Sequence, residues 1–175
     1  MKKRSLILFS LAIFFFLTNL SLTKEEKIIS GNGIVVDGDT IKINGILIRL
    51  YGIDAPEKNQ ICMGPSSESY NCGLSSTRFL KTLIDNSTRV ECSYKNLDRY
   101  GRIIGKCISY TKVQNSNEII PFELNYLMVA MGHAVEYKRY SKGEYSEAEK
   151  TAKKEKKGLW KGEFDRPEKW RRKYK

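Results

Sequence analysis

The stretch Asp37–Glu57, DGDTIKINGILIRLYGIDAPE, limits what this chain can fold into more than any other. Isoleucine and leucine fill the spaces between four acidic side chains (Asp37, Asp39, Asp54 and Glu57) and one arginine, Arg49. A segment this apolar belongs in a core, yet a buried carboxylate is costly unless a positive group or hydrogen bonds compensate it. Asn44-Gly45 separates two strand-like runs, Thr40–Ile43 and Ile46–Ile53. Both turn positions tolerate positive φ, so a type I′ hairpin is predicted. That turn fixes the register: Thr40 faces Arg49, and Asp39 faces Leu50. Alternation then puts Ile46, Ile48 and Leu50 on one face and Leu47, Arg49 and Tyr51 on the other. Arg49 therefore comes out beside Asp39, with Asp54 and Glu57 a short reach further on. Asp37, next to Gly38, reads better as a turn residue.

At 175 residues the chain is long enough for one domain with a real core, plus extensions. Its formal charge of +11 favours a polyanionic partner, either nucleic acid or an anionic membrane. The sequence has one histidine, His133, which excludes zinc sites built from several histidines and the usual histidine-based triads. Any hydrolysis must then run on carboxylates, arginines, tyrosines and a hard cation. His133 itself reads as a packing or surface residue.

Lys2, Lys3 and Arg4 precede an apolar run, Leu6–Leu20, so residues 1–23 read as a signal peptide or, if uncut, an N-terminal anchor. The run is short for a bilayer span, which needs about 20 residues. Export, to the outside or the periplasm, gives the four cysteines a meaning, because disulfides persist in oxidising compartments. The runs Thr88–Tyr94 and Arg102–Tyr110 are strand-like, and Asp98-Arg99-Tyr100-Gly101 connects them. If the turn centres between Arg99 and Tyr100, Cys92 lies opposite Cys107 at bridging distance. Cys62 and Cys72 then pair by default; the alternative is four free buried thiols.

Helical spacing is predicted for Leu74–Ile84, for Pro121–Gly132 with proline in its first turn, and for Glu144–Lys157 ending at Gly158. The basic tail Lys161–Lys175 reads as irregular and frayed. The fold class that follows is α+β: a small five-stranded β-barrel of OB type flanked by three helices. The boundaries expected are residues 27–160 for the domain and 161–175 for the tail.

Asp39 and Asp54, with the Ala55 carbonyl, suit a hard divalent cation, which prefers oxygen ligands. Glu57, after the stiff Pro56, is close enough to position or deprotonate a water. Arg49 and Arg102 could clamp a phosphate, with the Tyr100 hydroxyl and Arg99 beside them. Each has a plainer reading: Asp54 as a turn cap, Arg49 as the structural partner of Asp39, and Asp98–Gly101 as a hairpin connection.

DGDT (Asp37–Thr40), IRLYGIDAPE (Ile48–Glu57) and DRYGR (Asp98–Arg102) together resemble the staphylococcal-type thermonuclease family. The resemblance continues through Asn125–Ala134, Tyr137–Ser141 and Ala148–Trp160. It implies an OB-fold and a Ca2+-dependent phosphodiesterase that cuts DNA and RNA on the 5′ side of the phosphate, leaving 3′-phosphates. By matching motif positions, Asp39, Asp54 and Ala55 resemble the calcium ligands, and Glu57 the general base. Arg49 and Arg102 resemble the phosphate-clamping arginines. Arg99 and Tyr100 match positions that contact the terminal phosphate of a nucleotide; either Tyr137 or Tyr140 matches the second pocket tyrosine. The loop Lys95–Leu97 is shorter than in the founding member. A monomer acting on nucleic acid without sequence preference is expected, helped by Lys153, Lys154, Lys156 and Lys157, unless these form only a solvated face. The competing readings are a non-catalytic nucleic-acid-binding module and a structural envelope protein. The acid–arginine set distinguishes them, because neither has a use for it.

Overall fold

The computed structural model describes residues 25–174. The expected signal peptide or anchor lies outside them. The Asn44-Gly45 turn forms as its residues require, with positive φ at both positions. It joins β3 (Thr40–Ile43) to β4 (Ile46–Leu50) in the predicted register, Thr40 opposite Arg49. Strand β4 stops at Leu50. A turn at Tyr51-Gly52 separates it from the short β5 (Ile53–Asp54), which pairs with β11 (Val135–Glu136).

Around this hairpin, β1 (Lys27–Gly31), β2 (Gly33–Asp37), β8 (Arg89–Leu97), β9 (Ile103–Lys112) and β10 (Ile119–Glu123) complete a seven-stranded sheet. Its order is β1-β8-β9-β4-β3-β2, with β10 on β9. The β4–β9 pair is parallel and the others antiparallel. The chain is α+β, as expected, but the described residues hold more strands than five and five α-helices instead of three. The end strands β1 and β2 are not joined by backbone pairing; Asn32 alone separates them in the chain.

Helix α1 (Cys72–Asp85) is capped by the Asn71 side chain, which accepts from the Leu74 N–H. It buries Leu80 and Ile84 among Ile41, Ile43, Ile48, Leu50 and Val90. Pro121, expected in a first helical turn, lies instead in β10, and α2 runs over Leu124–Ala130. Strand β10 is an edge that pairs with β9 alone, so the missing proline N–H is tolerated there. Helix α3 (Lys138–Ser141) was not foreseen, and α4 (Ser146–Lys154) is shorter than the predicted Glu144–Lys157.

Both cysteine pairs are disulfides, Cys62–Cys72 and Cys92–Cys107. The β8–β9 register confirms Cys92 opposite Cys107, but by a different route. Leu97 pairs with Ile103, so the connection centres on Tyr100; a bulge between Tyr94 and Asn96 then takes up one residue.

The largest departure is the tail. A 3-10 turn (Gly158–Lys161) leads to α5 (Pro167–Tyr174). Met63, in β6 (Ile61–Met63), exchanges two backbone hydrogen bonds with Glu163, and the buried Gln60 side chain donates to the Asp165 carbonyl. Leu159, Trp160 and Phe164 join the cluster of Cys62, Cys72 and Val135. Strand β7 (Ser69–Asn71) pairs with β6, and the Cys62–Cys72 bridge fixes the base that receives the tail.

Candidate active site

The hairpin register places Asp39 at the end of the β2–β3 turn, where its backbone carbonyl accepts from Leu50. The turn is tight because Gly38 has no side chain; a Cβ there would lie 2.7 Å from that of Ala55. Asp37 closes the turn by accepting from the Asp39 N–H, as its turn reading implies. Asp54 comes from β5, held against Val135. The preceding corner is braced by the buried Asn125, whose side chain donates to the Tyr51 carbonyl. Glu57 follows in a loop pressed onto α1; a Cβ at Gly73 would overlap the Glu57 carbonyl oxygen.

Arg49 binds both aspartates. Its Nη1 donates to Asp39 Oδ1 at 2.6 Å and its Nη2 to Asp54 Oδ1 at 3.0 Å. Asp39 also accepts from the Thr40 hydroxyl and from the Ala55 N–H. Both aspartates are buried, at 4% and 1% exposure. Burial pushes the Asp39 carboxyl up to about 7. Arg49 and the Ala55 N–H oppose the shift, while the neighbouring Asp37 and Asp54 charges add to it. Two carboxylates crowded this way fit a hard divalent cation by donor chemistry, with Ala55 alongside. Among the described residues no group of three His, Cys, Asp or Glu side chains forms a metal cluster, so backbone and water oxygens would have to complete the shell.

These groups border a cleft of about 820 Å³. Asp39, Arg49, Ala55 and Glu57 line it, and the β8–β9 tip contributes Arg99, Tyr100 and Arg102. Asp98 accepts from Arg102 Nε at 2.7 Å and from the Arg102 and Tyr100 N–H groups. Burial works to raise the Asp98 carboxyl, but these bonds hold it below its ordinary value. Arg99 lies over the Tyr100 ring. Tyr137 and Tyr140 are not among the walls of this cleft. They meet edge to face, and Tyr137 lines a second groove of about 440 Å³ that also reaches Asp54. Lys153 lines that groove while paired with Glu149; Lys154 and Lys156 are exposed. His133 stacks on Phe79 away from the cleft, and burial lowers its imidazole to about 4.

The sequence reading missed one member of the site. Arg171, from α5, donates to both oxygens of Asp54, at 3.0 and 2.9 Å, and to Glu57 Oε1 at 3.0 Å. The helix, in a tail read as irregular and frayed, does carry local signals: Pro167 at its start, Glu168 in the first turn and Arg171, Arg172 and Lys173 in the last. Nothing local signals where that helix docks.

Residues 47–162 match the family model described as Staphylococcal nuclease homologue. The chain is 33% identical over 135 residues to the succinoglycan biosynthesis protein ExoI of Rhizobium meliloti (strain 1021), covering 77% of this chain and 66% of that protein, just under two thirds of its length. It is 32% identical over 149 residues to a micrococcal nuclease of Shigella flexneri, covering 79% and 77%. An uncharacterized endonuclease of Escherichia coli is 33% identical over 131 residues, covering 72% of each chain.

Proposed function

Since the chain belongs to the staphylococcal nuclease family, we propose that it is an exported, calcium-dependent nuclease that hydrolyses DNA and RNA phosphodiesters and leaves 3′-phosphate ends. The observation that carries this reading is Arg49 bridging the buried Asp39 and Asp54 on the wall of a cleft that Arg102 and Tyr100 also line. We take β1 and β2 as one bent strand that completes an OB-type barrel over residues 27–160. Two disulfides favour an oxidising compartment.

Asp39, Asp54 and the Ala55 carbonyl would hold the cation, which polarises a phosphate oxygen when bound. Glu57 takes a proton from the attacking water as its oxygen bonds to phosphorus in line with the leaving 5′ oxygen. The P–O5′ bond breaks, the phosphate stays on the 3′ side, and the 5′ oxygen takes a proton from solvent water as it leaves. Arg49 and Arg102 stabilise the extra negative charge on the equatorial oxygens. Arg99 and Tyr100, at the hairpin tip, bind the neighbouring phosphate. One of Tyr137 and Tyr140 contacts the nucleotide as it continues into the second groove. The basic surface attracts the polyanion without reading its sequence, so a monomer suffices.

The full chain incubated with single-stranded DNA should cut it in calcium and not in chelator, leaving 3′-phosphate ends. Intact DNA in calcium would sink the enzyme reading. The competing reading, a non-catalytic nucleic-acid-binding module, has one observation in its favour: Arg171 sits on Asp54 and Glu57.

A further inference from the structure

Arg171 lies beyond the matched region 47–162, yet it reaches the centre of the acidic cluster. Its guanidinium makes a fork on Asp54, one nitrogen to each oxygen, and the first nitrogen also reaches Glu57. With Arg49 on the same Oδ1, Asp54 has three of its acceptor positions filled by arginine. The charges lead the same way. With Asp39 ionised, the form that ligates a cation, Asp39, Asp54 and Glu57 set against Arg49 alone leave two surplus negative charges, the amount a divalent cation neutralises. Arg171 removes one of them.

The contact is held from outside the site. Met63–Glu163 and Gln60–Asp165 anchor the chain just before α5. Arg166 binds the buried Glu149 and the Glu136 carbonyl. Pro167 is buried at the helix start. Arg171 itself is about a quarter exposed at the cleft wall, so its side chain can leave without undocking the helix.

We propose that Arg171 is a resident counter-cation that sets how tightly this site takes a divalent cation, holding Asp54 and Glu57 until the cation displaces it. The inference rests on the reading of Asp39 and Asp54 as cation ligands. A guanidinium fork and a hard cation use the same oxygens of Asp54, so one must yield to the other. Once displaced, Arg171 withdraws from Glu57 Oε1 and remains on the wall of the phosphate cleft. Its pairing with Asp54 and Glu57 then marks a closed, low-calcium form, and does not mark a dead site.

The test is calcium binding to the full chain, without nucleic acid, followed by titration calorimetry for the wild type, Arg171→Gln and Arg171→Lys. Loss of charge-assisted bonds of this kind corresponds to a gain of about 10- to 100-fold in calcium affinity for Arg171→Gln. Lysine keeps the charge without the fork, so Arg171→Lys should fall between. Thermal melting in chelator establishes that each variant is folded, and calcium should raise the Tm of Arg171→Gln more than that of the wild type. Should Arg171→Gln fail to fold, the intermediate affinity of Arg171→Lys decides. Equal affinities, or weaker binding in the variants, overturn the proposal while leaving the nuclease reading intact. Absence of calcium binding in all three overturns both the proposal and the cation reading beneath it.

Discussion

Two clusters of buried carboxylates lie one strand apart in this molecule, and the C-terminal segment sends one arginine to each. Asp54 in β5 pairs with Val135 in β11, and the next residue, Glu136, belongs to the second cluster. There Glu136 accepts from the hydroxyls of Ser141 and Ser146 and from the Tyr145 N–H. Glu149 accepts from Lys153, Arg166 and the Glu136 N–H. Burial works to raise both carboxyls, but these donors hold each below its ordinary value. The Asp39–Asp54 cluster has the same ingredients and the opposite balance. Asp39 is raised, chiefly by its burial, with the Asp37 and Asp54 charges adding to a shift that Arg49 and the Ala55 N–H offset only in part. The Glu136–Glu149 arrangement is structurally complete, tying α3 and α4 to the tail. The Asp39–Asp54 arrangement retains a deficit of positive charge, and it borders the open cleft. Surplus charge facing a cleft separates a site from a staple; the mere presence of acids and arginines does not.

The sharpest way to break this comparison is to remove one member from each cluster. Glu57→Ala and Arg102→Ala should each lower kcat by about 100- to 10,000-fold with little change in melting temperature. Glu149→Ala should do the reverse. It strands Arg166, Lys153 and the Glu136 N–H and should cost ~3 kcal/mol of stability in urea unfolding. Corrected for the folded fraction, its cleavage rate should change far less than that of Glu57→Ala. A Glu149 variant that stays stable but loses cleavage would erase the distinction.

How much of this was legible in the sequence divides along the same line. The first cluster grew from local rules: Asn44-Gly45 sets the register, the register puts Arg49 against Thr40, and Asp39 follows. Asp54 and Glu57 needed only proximity in the chain. The Cys92–Cys107 bridge was reached from a connection centred half a residue away from the real one, and the bulge near Lys95 cancelled the difference. Pro121 misled, because a proline at the start of an apolar stripe also suits an edge strand that leads into a helix. The second cluster and Arg171 were out of reach for a different reason. Glu149 with Arg166 and Asp54 with Arg171 are contacts across 17 and 117 residues. They depend on where Gln60 and Met63 receive the tail, and those positions depend in turn on the Cys62–Cys72 loop. No turn rule or periodicity encodes that docking.

The smallest expected effect, and the finest test of the comparison, is the sign of two pH dependences measured in chelator. Glu149 has its folded pKa below the ordinary 4.5, so the folded state binds fewer protons than the unfolded chain in acid. Its contribution is full above pH 4.5 and is lost as pH falls through the folded pKa. Asp39 runs the other way. With its ordinary value of 3.8 raised to about 7, the folded state keeps a proton that the unfolded chain has released. Its contribution is full below pH 3.8 and is lost as pH rises through 7. Each effect should be on the order of 1 kcal/mol once nearby charges relax. Urea unfolding at stepped pH should therefore show Asp39→Asn flattening the decline between pH 4 and 7, and Glu149→Gln flattening the loss below pH 4.5. If both substitutions flatten the same limb, the two clusters share one electrostatic character. The cleft then owes its chemistry to access alone, and not to a deficit of positive charge.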